Sequence, residues 1–273
     1  MIRRMQAADI PAGMVLKEAA GWNQTEQDWA NLLALEPEGC WVEEHQGEVV
    51  ASTTAVCYGR ELAWIGMVLV RPDFRRRGLG RGLVEHGLAW LEQRGVRQVK
   101  LDATENGLPL YEKLGFHQEG TIERWGGAKP RGMCVYGVHE LELGSIAALD
   151  REAVGVDRSR LLEKLIKAFP GQCAWEPKEG FVLGRPGSEA YFLGPCSASD
   201  AETAGFLILQ LTLRAAAKVF YWDLFPDQPA AAETARQLGF ERRRGLIRMA
   251  LRPETSVSGR PERVFAAAGF EYG

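Results

Sequence analysis

Residues 62–80 switch from one periodicity to another within a single run, and that switch limits the folds open to this chain. Leu62 to Val70 is a nine-residue apolar stretch that reads as a strand. Arg71-Pro72-Asp73-Phe74 ends it, because proline has no N–H to give to a ladder. Leu79, Leu83, Val84, Leu88 and Leu91 then recur at helical spacing, and Gly95 stands where a helix C-cap belongs. Between strand and helix lies Arg75-Arg76-Arg77-Gly78-Leu79-Gly80. A strand that turns through a glycine-rich loop into a helix makes an anion site. The first helical N–H groups have no intrahelical partner, and the helix dipole adds positive potential. Glycines at 78 and 80 allow a pyrophosphate to approach the backbone, and the arginines neutralise charge at its rim.

The rest of the composition excludes several functions. With 33 basic and 36 acidic residues the chain carries a net charge of -3, which disfavours a nucleic-acid or anionic-membrane surface. Five widely spaced cysteines (40, 57, 134, 173, 196) form neither a disulfide framework nor a zinc ribbon, and four scattered histidines offer no metal site. Met1 to Ile10 is too polar for a signal peptide, and no stretch approaches the roughly 20 apolar residues of a membrane helix. A cytoplasmic location is expected, with no metal, no nucleic acid and no membrane among the partners.

Along the chain the elements read as follows. Ile2 to Met5 is a strand and Asp9 to Ala20 a helix. Thr25-x-x-Asp28 opens a second helix to about Leu35, with Asp where a capping box prefers Glu or Gln. Strands are expected at Cys40 to Glu44, Val49 to Tyr58 and Leu62 to Val70. After the long helix come a strand at Val96 to Ala103, a short helix at Leu108 to Leu114, and a strand at Met133 to Leu143. The second half has helices at Asp157 to Phe169, Ala198 to Ala216 and Pro229 to Leu238. Its strands fall at Phe181 to Arg185, Ala190 to Leu193, Val219 to Leu224 and after Gly239-Phe240. Leu114-Gly115-Phe116 and Leu238-Gly239-Phe240 are matching points of an internal duplication. The expected class is α/β (α+β), in two domains, residues 1–143 and 144–273.

Val68-Leu69-Val70-Arg71-Pro72-Asp73-Phe74-Arg75-Arg76-Arg77-Gly78-Leu79-Gly80-Arg81 resembles the signature of the GNAT superfamily of acyl-CoA N-acyltransferases, and most closely the bacterial ribosomal-protein alanine N-acetyltransferases. Leu110-Tyr111-Glu112-Lys113-Leu114-Gly115-Phe116 resembles that family's second motif. A narrower likeness connects Ala20 to Thr25, Leu101-Asp102-Ala103-Thr104 and Val264 to Glu271 with bacterial two-part GNAT proteins, in which a degenerate GNAT-like unit follows the CoA-binding one. The resemblance implies a GNAT fold: a mixed central sheet flanked by helices, followed by a second, smaller GNAT-like domain. It also implies acetyl-CoA as co-substrate. The backbone of Val68, Leu69 and Val70 would pair with the pantetheine arm like an added strand. Arg75, with the amides of Arg76, Arg77, Gly78, Leu79, Gly80 and Arg81, would hold the pyrophosphate. Tyr111 would stand near the thioester sulfur as hydrogen-bond donor or general acid. Trp22, Asn23 and Gln24 would border the acceptor site.

Two departures from the family are visible. Its glutamate base falls on Val99, so the carboxylates left are Asp102 on the same strand and Glu61 before Trp64. The asparagine that often contacts CoA is replaced by Thr104, which keeps one hydroxyl for such a contact. In the second half, the counterpart of the arginine–glycine loop is Gly194-Pro195-Cys196-Ser197-Ala198-Ser199-Asp200, and the counterpart of Tyr111 is Ala235. That half is expected to bind no acetyl-CoA and to shape the acceptor pocket instead. The expected reaction is acetyl transfer to a primary amine of a small metabolite. Protein N-terminal or lysine acetylation, or a non-catalytic CoA-binding role, are the alternatives, in a monomer or homodimer.

Overall fold

The computed structural model describes residues 1–134, 141–255 and 257–273. The chain divides into two compact units that are not its two sequence halves. Unit 1 comprises Met1–Glu119, Met249–Ser256 and Phe270–Gly273; unit 2 comprises Gly120–Arg248 and Val257–Gly269. A single cut at residue 143 therefore does not describe the packing. Strand partners, not sequence order, decide where a segment belongs.

Unit 1 opens with β1 (Ile2–Arg4), α1 (Ile10–Glu18) and α2 (Glu26–Leu35). Asp28 serves in the capping box despite its shorter side chain: its Oδ2 accepts the Thr25 N–H at 2.7 Å. Gly13 lets α1 approach α2, since a Cβ there would lie 2.9 Å from the Trp29 ring. Then follow β2 (Cys40–His45), β3 (Glu48–Tyr58), β4 (Leu62–Val70), α3 (Leu79–Gln93), β5 (Gln98–Ala103) and the short α4 (Leu108–Lys113). The sheet runs β1-β2-β3-β4-β5, antiparallel up to β4 and parallel between β4 and β5. Helix α3 buries Leu83, Val84 and Leu91 and packs on β3 and β4, with Trp41 set edge-on to His86 and Trp90.

Unit 2 holds most of β6 (His117–Ala128), then α5 (Leu143–Val154), α6 (Ser159–Ala168), β7 (Cys173–Glu176), β8 (Gly180–Arg185), β9 (Tyr191–Ala198), α7 (Ala201–Arg214), β10 (Val219–Leu224) and α8 (Pro229–Gln237). It is completed by most of β11 (Glu241–Leu251) and by β12 (Val264–Ala266). The order β6-β10-β9-β8-β7 surrounds a core of Leu207, Leu211, Phe220 and Trp222. β6 was not legible in the sequence because its first half is polar and half exposed. It is fixed by an antiparallel ladder with β10 from Glu123↔Leu224 to Ala128↔Val219. The strand expected at 133–143 lies largely outside the described residues, and Leu143 begins α5 instead. β9 extends to Ala198 where the sequence suggested a helix start, because all eight of its residues are buried.

Candidate active site

The phosphate-binding candidate is built by the end of β4 and the start of α3. Arg76 (φ 60°) and Gly78 (φ 82°) both have left-handed backbones, and Gly78 is the N-cap of α3. No side chain of Gly78 occupies the space before the helix, and a Cβ added there would meet nothing within 4 Å. The first N–H groups of this 15-residue helix have no intrahelical acceptor, and no Gly78 side chain stands in front of them. The arginines divide the work. Arg71 pairs with Glu48 and Asp73, and Arg81 with Glu85. Arg75 donates to the Val70 carbonyl at 3.2 Å, and Arg77 to the Asp73 carbonyl at 2.8 Å while stacking over Phe74. Arg76 makes no hydrogen bond or ion pair among the described residues and is exposed. Arg75 and Arg77 use only part of their donors in bracing the turn, so charge remains at the rim. Leu79 and Gly80 begin the first turn, and a Cβ added at Gly80 would come 3.4 Å from the Val70 side chain.

Next to this loop the sheet opens. The parallel ladder between β4 and β5 joins Leu62–Trp64 to Gln98–Lys100; among the described residues no further pair joins the two strands. β4 also carries a bulge. Ser52 pairs with Leu69 and Thr54 with Gly66, so β4 spends one residue more than β3. Met67 takes up the distortion at φ 50°, and its displaced carbonyl accepts the Ser52 hydroxyl at 2.8 Å. Val68, Leu69 and Val70 follow; Leu69 and Val70 are held by β3 on one edge, and none of the three has a β5 partner on the other. An extended ligand arm can pair with that edge by backbone hydrogen bonds.

Tyr111 projects from α4 and is buried, its ring 6.0 Å from and edge-on to Phe116. Burial pushes its phenol far above the ordinary value for tyrosine, so it stays protonated. Thr104 starts the turn into α4. Its hydroxyl oxygen accepts the Gly107 N–H at 3.2 Å, which leaves the hydroxyl proton for another acceptor. Asp102 is half-buried on the face of β5 that also carries Lys100, which is ion-paired to Glu119 at 2.7 Å. Glu61 is exposed and paired with Arg97, at the end of β4 where β5 is still attached. Val99 is buried.

Trp22, Asn23 and Gln24 bridge α1 and α2. Trp22 exchanges hydrogen bonds with Lys17, through its N–H and its carbonyl. Asn23 and Gln24 are both buried, and Gln24 Nε2 donates to Glu271 Oε2 at 2.6 Å. The sequence grouped Glu271 with a terminal motif but gave it no place in the site; only the fold brings residues 24 and 271 together.

The corresponding region of unit 2 is closed. β9 and β10 are parallel over Tyr191–Leu193 opposite Phe220–Trp222. Beyond that ladder, β12 pairs with β9 at Cys196 and Ser197, the Phe265 carbonyl accepts the Trp222 indole N–H, and the Ala267 N–H bonds to the Asp223 carbonyl. The chain's own strand thus lies where β9 and β10 separate. At the start of α7, Asp200 Oδ1 accepts the Thr203 N–H at 2.8 Å. That bond holds the Asp200 carboxyl below its usual range, so a negative charge already sits at the helix N-terminus.

The family model for GNAT acetyltransferases matches residues 11–116, and a second GNAT-domain model matches residues 146–266. The chain belongs to the GNAT acetyltransferase family, as a two-part member. GNAT N-acetyltransferases are acyltransferases, and the family uses acetyl-CoA. The chain is 28% identical over 204 residues to the uncharacterized N-acetyltransferase YitH of Bacillus subtilis, covering 70% of this chain and 71% of that one. It is 45% identical over 60 residues to the ribosomal protein bS18-alanine N-acetyltransferase of Escherichia coli, covering 21% of this chain and 40% of that one. In fold it matches a Pyrococcus horikoshii protein assigned as an acetyltransferase, with a TM-score of 0.88 at 22% identity over 100% of this chain and 95% of that one. In this GNAT protein no helix among the described residues is long and apolar enough to cross a membrane, and no group of three metal-ligating side chains occurs among them.

Proposed function

We propose that unit 1 transfers the acetyl group of acetyl-CoA to a primary amine of a small metabolite by direct attack. The observation that carries this reading is the conjunction on one strand: β4 separates from β5 just where it bulges, and it ends in the glycine-started α3. The pantetheine arm pairs with Val68, Leu69 and Val70, and the pyrophosphate sits on the amides of Arg76 to Arg81. The amine nitrogen attacks the thioester carbonyl, the C–S bond breaks, and the ammonium proton passes to water or to a nearby carboxylate.

Tyr111 assists the leaving group. A thiol ionises near 8.5 and an ordinary phenol near 10, so full proton transfer is uphill by about 2 kcal/mol even in water. Burial of Tyr111 widens that gap. Tyr111 therefore acts as a hydrogen-bond donor to the developing thiolate. Unit 2 takes no acetyl-CoA in this reading, since β12 and Asp200 hold the places of the arm and the phosphate. A small acceptor is favoured over a peptide because Asn23 and Gln24 are buried rather than set in an open groove.

Thiol release from acetyl-CoA, measured with a panel of primary amines, amino acids and peptides, tests the proposal. Turnover with small amines is the expected result. Turnover with peptides alone would move the acceptor to protein, and tight CoA binding without turnover would end the enzymatic reading of this site.

A further inference from the structure

Phe74 stands at the entrance of the loop between β4 and α3 and has no part in the reaction proposed above. It ends the short 3₁₀ turn Pro72–Phe74, and its N–H donates to the Arg71 carbonyl at 2.9 Å. Its half-buried ring is held from the side of the sheet. The guanidinium carbon of Arg71 lies over the ring, 4.4 Å from its centroid, and the His45 ring meets it edge-on with centroids 5.1 Å apart. His45 is the last residue of β2. Arg71 is fixed independently of the ring. Its Nε and Nη2 donate to the Asp73 carboxylate at 2.8 and 3.1 Å, and its Nη1 donates at 2.8 Å to Glu48, the first residue of β3.

On the loop side the ring carries Arg77. That guanidinium lies over the ring, 4.7 Å from the centroid, and donates to the Asp73 carbonyl at 2.8 Å. Arg77 thus clasps the exit of the loop to its entrance. Enclosed by the clasp are Arg75, whose Nε donates to the Val70 carbonyl, and Arg76, whose φ is 60°. A left-handed arginine is strained, by an amount comparable to what one exposed cation–π contact and one hydrogen bond contribute together. The clasp is therefore of the size needed to keep the loop on this path, which ends in the left-handed Gly78 and the first turn of α3.

We infer that Phe74 is a positioning residue for the phosphate-binding loop: through Arg77 it holds the loop in its binding conformation before the ligand arrives. The inference rests on the reading that this loop takes the pyrophosphate of acetyl-CoA. It adds that affinity for the phosphates, unlike affinity for the pantetheine arm, depends on an aromatic ring at position 74. A loop ordered in advance binds more tightly, because less freedom is lost on association.

The test uses the full-length chain and its Phe74→Leu, Phe74→Tyr, Arg77→Met and Phe74→Leu/Arg77→Met variants, each checked for folding by thermal melting. Calorimetric titration with CoA is run beside thiol-release kinetics. Phe74→Leu keeps apolar bulk and loses the ring, so the CoA Kd should rise about threefold to tenfold, equivalent to about 0.6–1.4 kcal/mol. The acetyl-CoA KM should rise by the same factor, with kcat and the amine KM within about twofold. With S-acetylpantetheine, which has the arm and no phosphate, kcat/KM should also stay within about twofold. Phe74→Tyr keeps the ring and should restore the CoA affinity. In the Arg77→Met background Phe74→Leu should add less than about twofold, because the residue it acts through is gone. A folded Phe74→Leu with the CoA affinity of the natural chain, an equal loss with S-acetylpantetheine, no rescue by Phe74→Tyr, or full additivity with Arg77→Met overturns the inference and leaves the acetyl-CoA reading standing. If the natural chain binds CoA without turnover, the enzymatic reading fails and the calorimetric cycle still decides the role of Phe74. A natural chain that does not bind CoA overturns both.

Discussion

Arg124 and Asp223 test whether β6, from the first half of the sequence, is structural to unit 2. They face each other directly in the β6–β10 ladder. Their two bonds are 2.8 and 2.7 Å long, and the side chains are 5% and 0% exposed. Arg124→Met keeps much of the apolar stem but leaves the Asp223 carboxylate buried without that partner. Removing one member of such a pair costs about 3–5 kcal/mol, because the remaining charge has lost water as well as its ion. For a unit of this size each kcal/mol moves Tm by about 3–5 °C, so unit 2 should melt roughly 10–20 °C lower. Arg244 lies in the same field, its guanidinium pressed below its usual range by burial and by Arg124. If it swings toward Asp223, the loss falls to the low end of that range. The double variant Arg124→Met/Asp223→Leu removes both charges and should recover most of the loss, as apolar replacement of buried pairs often does. Scanning calorimetry on the three proteins gives the cycle. A single variant within about 1 kcal/mol of the natural chain, or a double variant no better than the single, would refute the reasoning, since both require the pair to be solvated or replaceable in place.

Three further outcomes are expected. Tyr111→Phe removes one donor to the leaving sulfur and should lower kcat about tenfold to a hundredfold, with the acetyl-CoA KM within about threefold; an unchanged kcat removes the phenol from the reaction. Gly78→Ala meets open space, so its cost is conformational, about 1–2 kcal/mol for a left-handed non-glycine backbone; it should weaken CoA about tenfold in a direct titration, more than it weakens any amine. Burial, with Glu36 adding to it, pushes the Cys40 thiol up to about 12, while an unfolded chain releases that proton near 8.5. A raised folded value gives stability that is complete below about pH 8.5 and lost as pH rises toward 12, so Tm should fall across pH 9–11 and fall less steeply in Cys40→Ala.

The local chemistry of unit 1 was legible in the sequence, because it depends on residues close together in the chain. The switch from apolar strand to helical spacing, the glycine at 78 and the capping box at Thr25 are each decided within a few residues, and the structure has the strand, the helix and the cap at those places. The Leu-Gly-Phe repeats were readable for the same reason. Three features needed the tertiary structure. The β4 bulge at Met67 has no local marker, since it exists only relative to its partner strand β3. β6 and β12 are too polar or too short to announce their partners, and ladders with β10 and β9 assign both to unit 2. Glu271 meets Gln24 across 247 residues. No periodicity records a contact at that separation, because hydrophobic pattern fixes which face is buried and leaves open which distant side chain it is buried against.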